Sequence, residues 1–173
     1  MPYSRLRAYD RKLDAYIAVI EAARDTRNKF KFDATNQLFV HNGVLQAGAS
    51  YPFDFGFIPG TRADDGDPLD ILVLMDEPAF VGAVIPFHLI GAIEAEQRER
   101  GEGAVRNDRL LGVACKSETY REINEIDQLP SALLDQVEQF WVSKNEIKGR
   151  RFKVLGRANA RTAATLIKAA TKR

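Results

Sequence analysis

Four aspartates stand within seven residues, in Asp64-Asp65-Gly66-Asp67-Pro68-Leu69-Asp70, and no other segment restricts the chain so tightly. Like charges this close repel, raise one another's pKa values and oppose folding unless something neutralises them. Gly66 permits a tight turn, and Pro68 sets the backbone just ahead of an apolar run that opens at Asp70. The carboxylates at 65, 67 and 70 are therefore expected to converge. Their oxygen-only chemistry suits a hard divalent cation, Mg²⁺ or Mn²⁺. An EF-hand loop does not fit: Asp65, Asp67 and Asp76 match its first, third and twelfth positions, but Leu69 and Asp70 replace the liganding fifth residue and the sixth-position glycine. A plain Asp-Gly turn needs one or two acids rather than four.

The acidic turn ends a stretch, residues 46–69, that holds four glycines and three prolines and reads as one long irregular loop. Loops of that length inside a domain are usually functional. Before it, residues 15–22, 28–33 and 37–45 read as short strands. The second alternates Lys29 and Lys31 with Phe30 and Phe32, a period of two, whereas the alanines of the first would also suit a helix. After it, strands are expected at 70–75, 81–94 and 109–115. Leu133, Leu134, Val137, Phe140 and Trp141 then mark one face of a helix over 131–142, with Ser131 or Asp127 near its start. A basic strand at 151–155 and an Ala-rich helix at 159–171 complete the chain. Strands first and helices last predict an α+β fold, a small barrel with packed helices.

A chain of 173 residues without repeats or linker-like tracts is one domain, 1–173. No apolar run approaches the roughly 20 residues that cross a bilayer, and the opening residues carry no apolar signal region. The single Cys115 excludes an intrachain disulfide and fits a reducing interior, so the cytoplasm is the expected location. Cys115 closes an apolar strand and is expected to be buried, and His88 reads as a satisfied core or edge residue. Net charge is +1, but it is unevenly spread. Residues 144–173 carry ten bases against one acid, Glu146. That run reads as a solvated face balancing the acidic centre rather than as a nucleic-acid surface.

Tyr51-Pro-Phe-Asp-Phe-Gly56-Phe-Ile-Pro59-Gly-Thr61, followed by Asp65-Gly-Asp67-Pro-Leu-Asp70, resembles the pattern of the family I soluble inorganic pyrophosphatases. Val19-Ile20-Glu21, Asn28-Lys29-Phe30, Asn107-Asp108-Arg109 and Gln139-Phe140-Trp141…Lys144 add to the resemblance, which spans about residues 15–158. It implies a closed five-stranded barrel of the oligonucleotide-binding (OB) type with flanking helices, self-assembly into a homo-oligomer, and Mg²⁺-dependent hydrolysis of pyrophosphate to two phosphates. By resemblance, Asp65 and Asp70 are metal ligands, and Asp67 ligates or hydrogen-bonds the attacking water and acts as its general base. Glu21 orients that water. Lys29, Arg109 and Lys144 hold phosphate oxygens, and Tyr51 steadies a phosphate or a carboxylate. Asp108 is a further metal ligand, whose partner is either Glu102 or missing, with Gln97 in its place.

Four departures from the family pattern fall at substrate-facing positions. Lys31 stands where a carboxylate is common, Asn42 and Gly43 where an arginine is expected, and Phe55 and Ser143 where tyrosines are usual. They leave two other readings open: a related phosphoanhydride hydrolase of nucleotides or polyphosphate, and a non-catalytic metal-binding barrel whose basic C-terminus binds a partner.

Overall fold

The alanine-rich stretch that suited either state is a strand because the fold covers it on both sides. In the computed structural model, which describes residues 3–171 apart from the side chain of Ser4, β2 (Ala15–Ala22) is almost wholly buried and follows the two-residue strand β1 (Tyr9–Asp10). The alternating segment forms β3 (Asn28–Asp33), paired only with β4 (Leu38–Val44) as a separate hairpin. The stretch expected to be irregular contains a strand, β5 (Asp54–Phe57), buried at all four positions. Its glycine and flanking prolines conceal it in the sequence, and pairing on both edges makes it a strand nonetheless. There follow β6 (Asp70–Leu74), β7 (Val84–Arg98), the short β8 (Ala104–Arg106), β9 (Arg109–Ala114) and, after a helix, β10 (Arg151–Asn159).

Strands β2, β5, β6, β9 and β7 pair in that order, and β7 returns to β2, so five strands close a ring. The expected α+β barrel of OB type is the fold found. Closure removes the open edges that a flat sheet would expose. Within the ring β6 and β9 run parallel, with Ile71 opposite Leu110, while the other pairings are antiparallel.

Period-two alternation divides the core. Leu72, Leu74, Leu111 and Val113 point into a cluster with Leu134, Val137 and Trp141 of α1 (Ser131–Ile147). Ile71, Val73 and Leu110 join a second cluster with Ala163, Ile167 and Ala170 of α2 (Ala160–Thr171). The apolar face expected of α1 is present, although the helix runs five residues beyond 142 and Pro130 occupies its N-cap without a side-chain bond.

Cys115 is exposed rather than buried, because β9 ends one residue before it. His88 is satisfied, its Nε2 lying 2.8 Å from the Ile123 carbonyl. Three bases of the C-terminal run are paired within the fold: Arg157 with Asp135 and Glu138, Arg150 with Glu99, and Lys153 with Glu96. Among the described residues no helix is long and apolar enough to cross a membrane.

Candidate active site

The acidic loop is built by its own backbone. Thr61 Oγ1 donates to the Ile58 carbonyl and accepts from the Leu69 N–H, which ties the loop's two ends together. Inside, the Ala63 N–H donates to the Asp67 carbonyl at 2.7 Å, and the Gly66 N–H donates to the Ala63 carbonyl. Gly66 sits at φ +88°, a conformation that glycine adopts without the steric cost of a Cβ. Asp65 Oδ1 accepts the Asp67 N–H, and Asp70 then opens β6.

Four other elements face this loop. A bulge in the β2–β5 ladder falls between Ile20 and Ala22, and it turns Glu21 into the cleft as a buried carboxylate. Lys29 and Lys31, two apart on β3, bring cations to the same side: Lys29 Nζ lies 3.7 Å from Glu21, and Lys31 Nζ lies 3.1 Å from Asp67. Arg109, the first residue of β9, is buried and pairs with Asp70 at 2.8 Å. Lys144, from the last turn of α1, lies 4.2 Å from the centre of the Trp141 ring. The fold thus brings Glu21, Lys29, Tyr51, Asp65, Asp67, Asp70, Arg109 and Lys144 into one electrostatic neighbourhood, with Lys31 at its edge.

The charges shape one another. Burial pushes the Glu21 carboxyl up, against the pull of Lys29. Burial also raises Asp65, and the like charges of Asp70 and Asp67 add to it. Tyr51 is raised by burial and by Glu21 and Asp70, and its buried hydroxyl has no hydrogen-bond partner among the described residues. Burial, then Lys29 and Arg109, hold the Lys144 ammonium well below the usual lysine range.

Convergence of the aspartates is incomplete. Among the described residues no three His, Cys, Asp or Glu side chains form a closed metal cage, because Lys31 takes Asp67 and Arg109 takes Asp70. The donor set still fits a hard divalent cation: its side-chain donors are carboxylate oxygens, and those of Asp67 and Asp70 are open to solvent.

Of the two remaining expected ligands, Asp108 lines one cavity with Asp64 and Asp70. Asp108 Oδ1 accepts from the Ala95 N–H and from Arg106 Nε, so this carboxylate anchors β7 to the β8–β9 turn. Glu102 lies in the turn between β7 and β8, and among the described residues no hydrogen bond or ion pair joins it to the cluster. Asn107 is the neighbour that sequence reasoning passed over. Its Oδ1 and main-chain carbonyl accept from Arg109, and its Nδ2 donates to Gln97 at 3.2 Å. Its place directly before Asp108-Arg109 was the available signal.

Comparison with known proteins accords with this geometry. A family model described as inorganic pyrophosphatase matches residues 18–173. An inorganic pyrophosphatase of Synechocystis sp. is 36% identical over 138 residues, 80% of this chain and 79% of that protein. The crystal structure of inorganic pyrophosphatase from Thermus thermophilus superposes with a TM-score of 0.90 at 27% identity, covering 100% of this chain and 98% of that one. The inorganic pyrophosphatase structure from Helicobacter pylori gives 0.87 at 26% identity, with 97% of each chain covered.

Proposed function

The chain belongs to the inorganic pyrophosphatase family and hydrolyses inorganic pyrophosphate to two phosphates, and we propose that Asp67 is the general base of that reaction and that Lys29, Arg109 and Lys144 hold the substrate. The observation that carries this reading is the opposition, across one cleft, of these three cations and the carboxylates Glu21, Asp65, Asp67 and Asp70.

Asp65 and Asp70, with Asp67, would hold a divalent cation, Mg²⁺ or Mn²⁺. When bound, such a cation neutralises phosphate charge and lowers the pKa of a coordinated water. The rest falls to side chains. Asp67 is the most open of the cleft's ion-paired carboxylates, so it is placed to accept the proton of an attacking water. Glu21 turns inward from the bulge and orients that water. Arg109 presents a rigid fork to phosphate oxygens, and Lys29 and Lys144 add point charges. Tyr51 keeps its proton because its pKa is raised, and its partnerless hydroxyl is free to donate to a phosphate oxygen.

We also propose that the protein works in the cytoplasm as a homo-oligomer. Phe80, Leu38, Val40 and Val44 expose large apolar side chains of the kind a second copy would cover.

The test is phosphate release from pyrophosphate by purified protein with Mg²⁺ or Mn²⁺, with ATP and tripolyphosphate as rival substrates and a chelated control. Release from pyrophosphate in preference to the rivals, abolished by the chelator, is expected. No release with either metal would overturn the reading, and preference for a rival would replace its substrate.

A further inference from the structure

We propose that Trp141 is a positioning residue for pyrophosphate: its indole ring holds the Arg109 guanidinium and the Lys144 ammonium ready for phosphate oxygens, without spending the charge of Lys144 on a carboxylate. This rests on the reading above that both cations bind the substrate. Arg109 Cζ lies 4.3 Å, and Lys144 Nζ 4.2 Å, from the centre of that one ring. Three more rings surround Lys144, with Tyr51 at 5.2 Å, Phe55 at 5.4 Å and Phe140 at 6.0 Å, while Asp70 acts on it through its charge. Among the described residues no carboxylate forms an ion pair with it, whereas Lys29, Lys31 and Arg109 each have one.

A buried ammonium held by a carboxylate must break that pair before it can take a phosphate oxygen. A ring face attracts the cation more weakly and leaves its three N–H donors free, and tryptophan is the strongest side chain for that purpose. The ring cannot drift. Trp141 is 1% exposed, meets Phe140 edge-on at 5.2 Å, and packs against Phe55 and Phe152. Lys144 follows it by three residues on α1, which sets both on one side of the helix. The buried Nε1 of Trp141 has no hydrogen-bond partner among the described residues, a cost that a purely space-filling ring such as phenylalanine would avoid.

Trp141 is the chain's single tryptophan, so its emission reports on the site directly. Wild-type protein with Mg²⁺ is titrated with methylenediphosphonate, whose P–C–P bridge resists hydrolysis, while calorimetry follows binding in parallel. The emission is expected to change and to saturate together with binding. Trp141→Leu is expected to raise KM for pyrophosphate by about 3- to 30-fold, with kcat within about threefold, while Trp141→Phe stays within about threefold of wild type in both. Equal KM values in all three proteins, or full binding with unchanged emission, would overturn the role of Trp141. Wild type that releases no phosphate would instead remove the reading on which it rests. Where Trp141→Leu does not fold, the emission titration of wild type decides.

Discussion

Lys31 Nζ lies 3.2 and 3.1 Å from the two carboxylate oxygens of Asp67, so a cation from the β3–β4 hairpin caps the proposed base. Both side chains are at least half exposed, and an exposed pair of this kind stabilises by no more than about 1 kcal/mol. Its consequence is competition, because the ammonium occupies a carboxylate that a divalent cation also needs. Lys31→Met should leave thermal stability nearly unchanged and lower the Mg²⁺ concentration for half-maximal rate by roughly two- to fivefold, the range that corresponds to such a pair. Mg²⁺ titration of the rate checks this; an increased requirement would contradict it.

Asp67 and Asp70 should separate chemistry from folding. Asp67→Asn removes the proton acceptor but keeps the shape, so the rate should fall by about 10²–10⁴-fold with little loss of stability. Asp70→Asn deprives the buried Arg109 of its carboxylate and should cost about 1–3 kcal/mol as well as activity. Phosphate release and urea unfolding of the two variants make the comparison. Near-wild-type turnover of Asp67→Asn would exclude it as the base.

Asp54 gives a pH test remote from the chemistry. Burial pushes its carboxyl up, against N–H bonds from Ala79 and Arg24 and the charge of Arg24. A group whose native pKa exceeds its unfolded pKa stabilises fully only below the unfolded value, and that contribution is lost as pH rises through the native one. Among the described residues its buried Oδ2 has no hydrogen-bond partner, so the fold disfavours the charged carboxylate. Asp54→Asn keeps the Oδ1 acceptor and sheds the charge. It should be more stable than wild type at pH 7 by about 1–3 kcal/mol. The advantage should shrink as pH falls toward the ordinary aspartate value of 3.8. Urea unfolding at pH 4 and pH 7 is the measurement, and a variant less stable at both would refute the account.

Gly56 is required by the approach of two strands. A Cβ there would lie 1.9 Å from the Val19 carbonyl oxygen and 2.9 Å from Ile20 Cα, both main-chain atoms of β2 that cannot swing aside. Gly56→Ala should cost about 3 kcal/mol or more or yield insoluble protein. Gly103→Ala, with nothing within 4 Å, should change stability by less than about 0.5 kcal/mol. Similar melting temperatures for the two would show that the barrel yields at Gly56.

Local signals were legible where they depend on near neighbours. Period-two alternation placed β3, the helical spacing of Leu133 to Trp141 placed α1, and acid density marked the loop of Asp65, Asp67 and Asp70. The same signals failed at β5, where Gly56 and two prolines read as loop, and at Cys115, where one residue of strand length separates buried from exposed.

Residue types and spacing along the chain were enough to determine most of the strands, both helices and the acidic loop, and the motifs carried the family resemblance. Tertiary structure alone decided which charge meets which. Asp70 and Arg109 touch because parallel pairing sets Ile71 opposite Leu110, which brings the preceding residues of β6 and β9 side by side. Lys31 reaches Asp67 because the β3–β4 hairpin folds over the loop, and Arg109 meets Trp141 and comes near Lys144 because α1 packs on the barrel. Strand periodicity is set by residues two apart in sequence, whereas these contacts depend on strand register and helix docking, which are fixed only when the whole core closes.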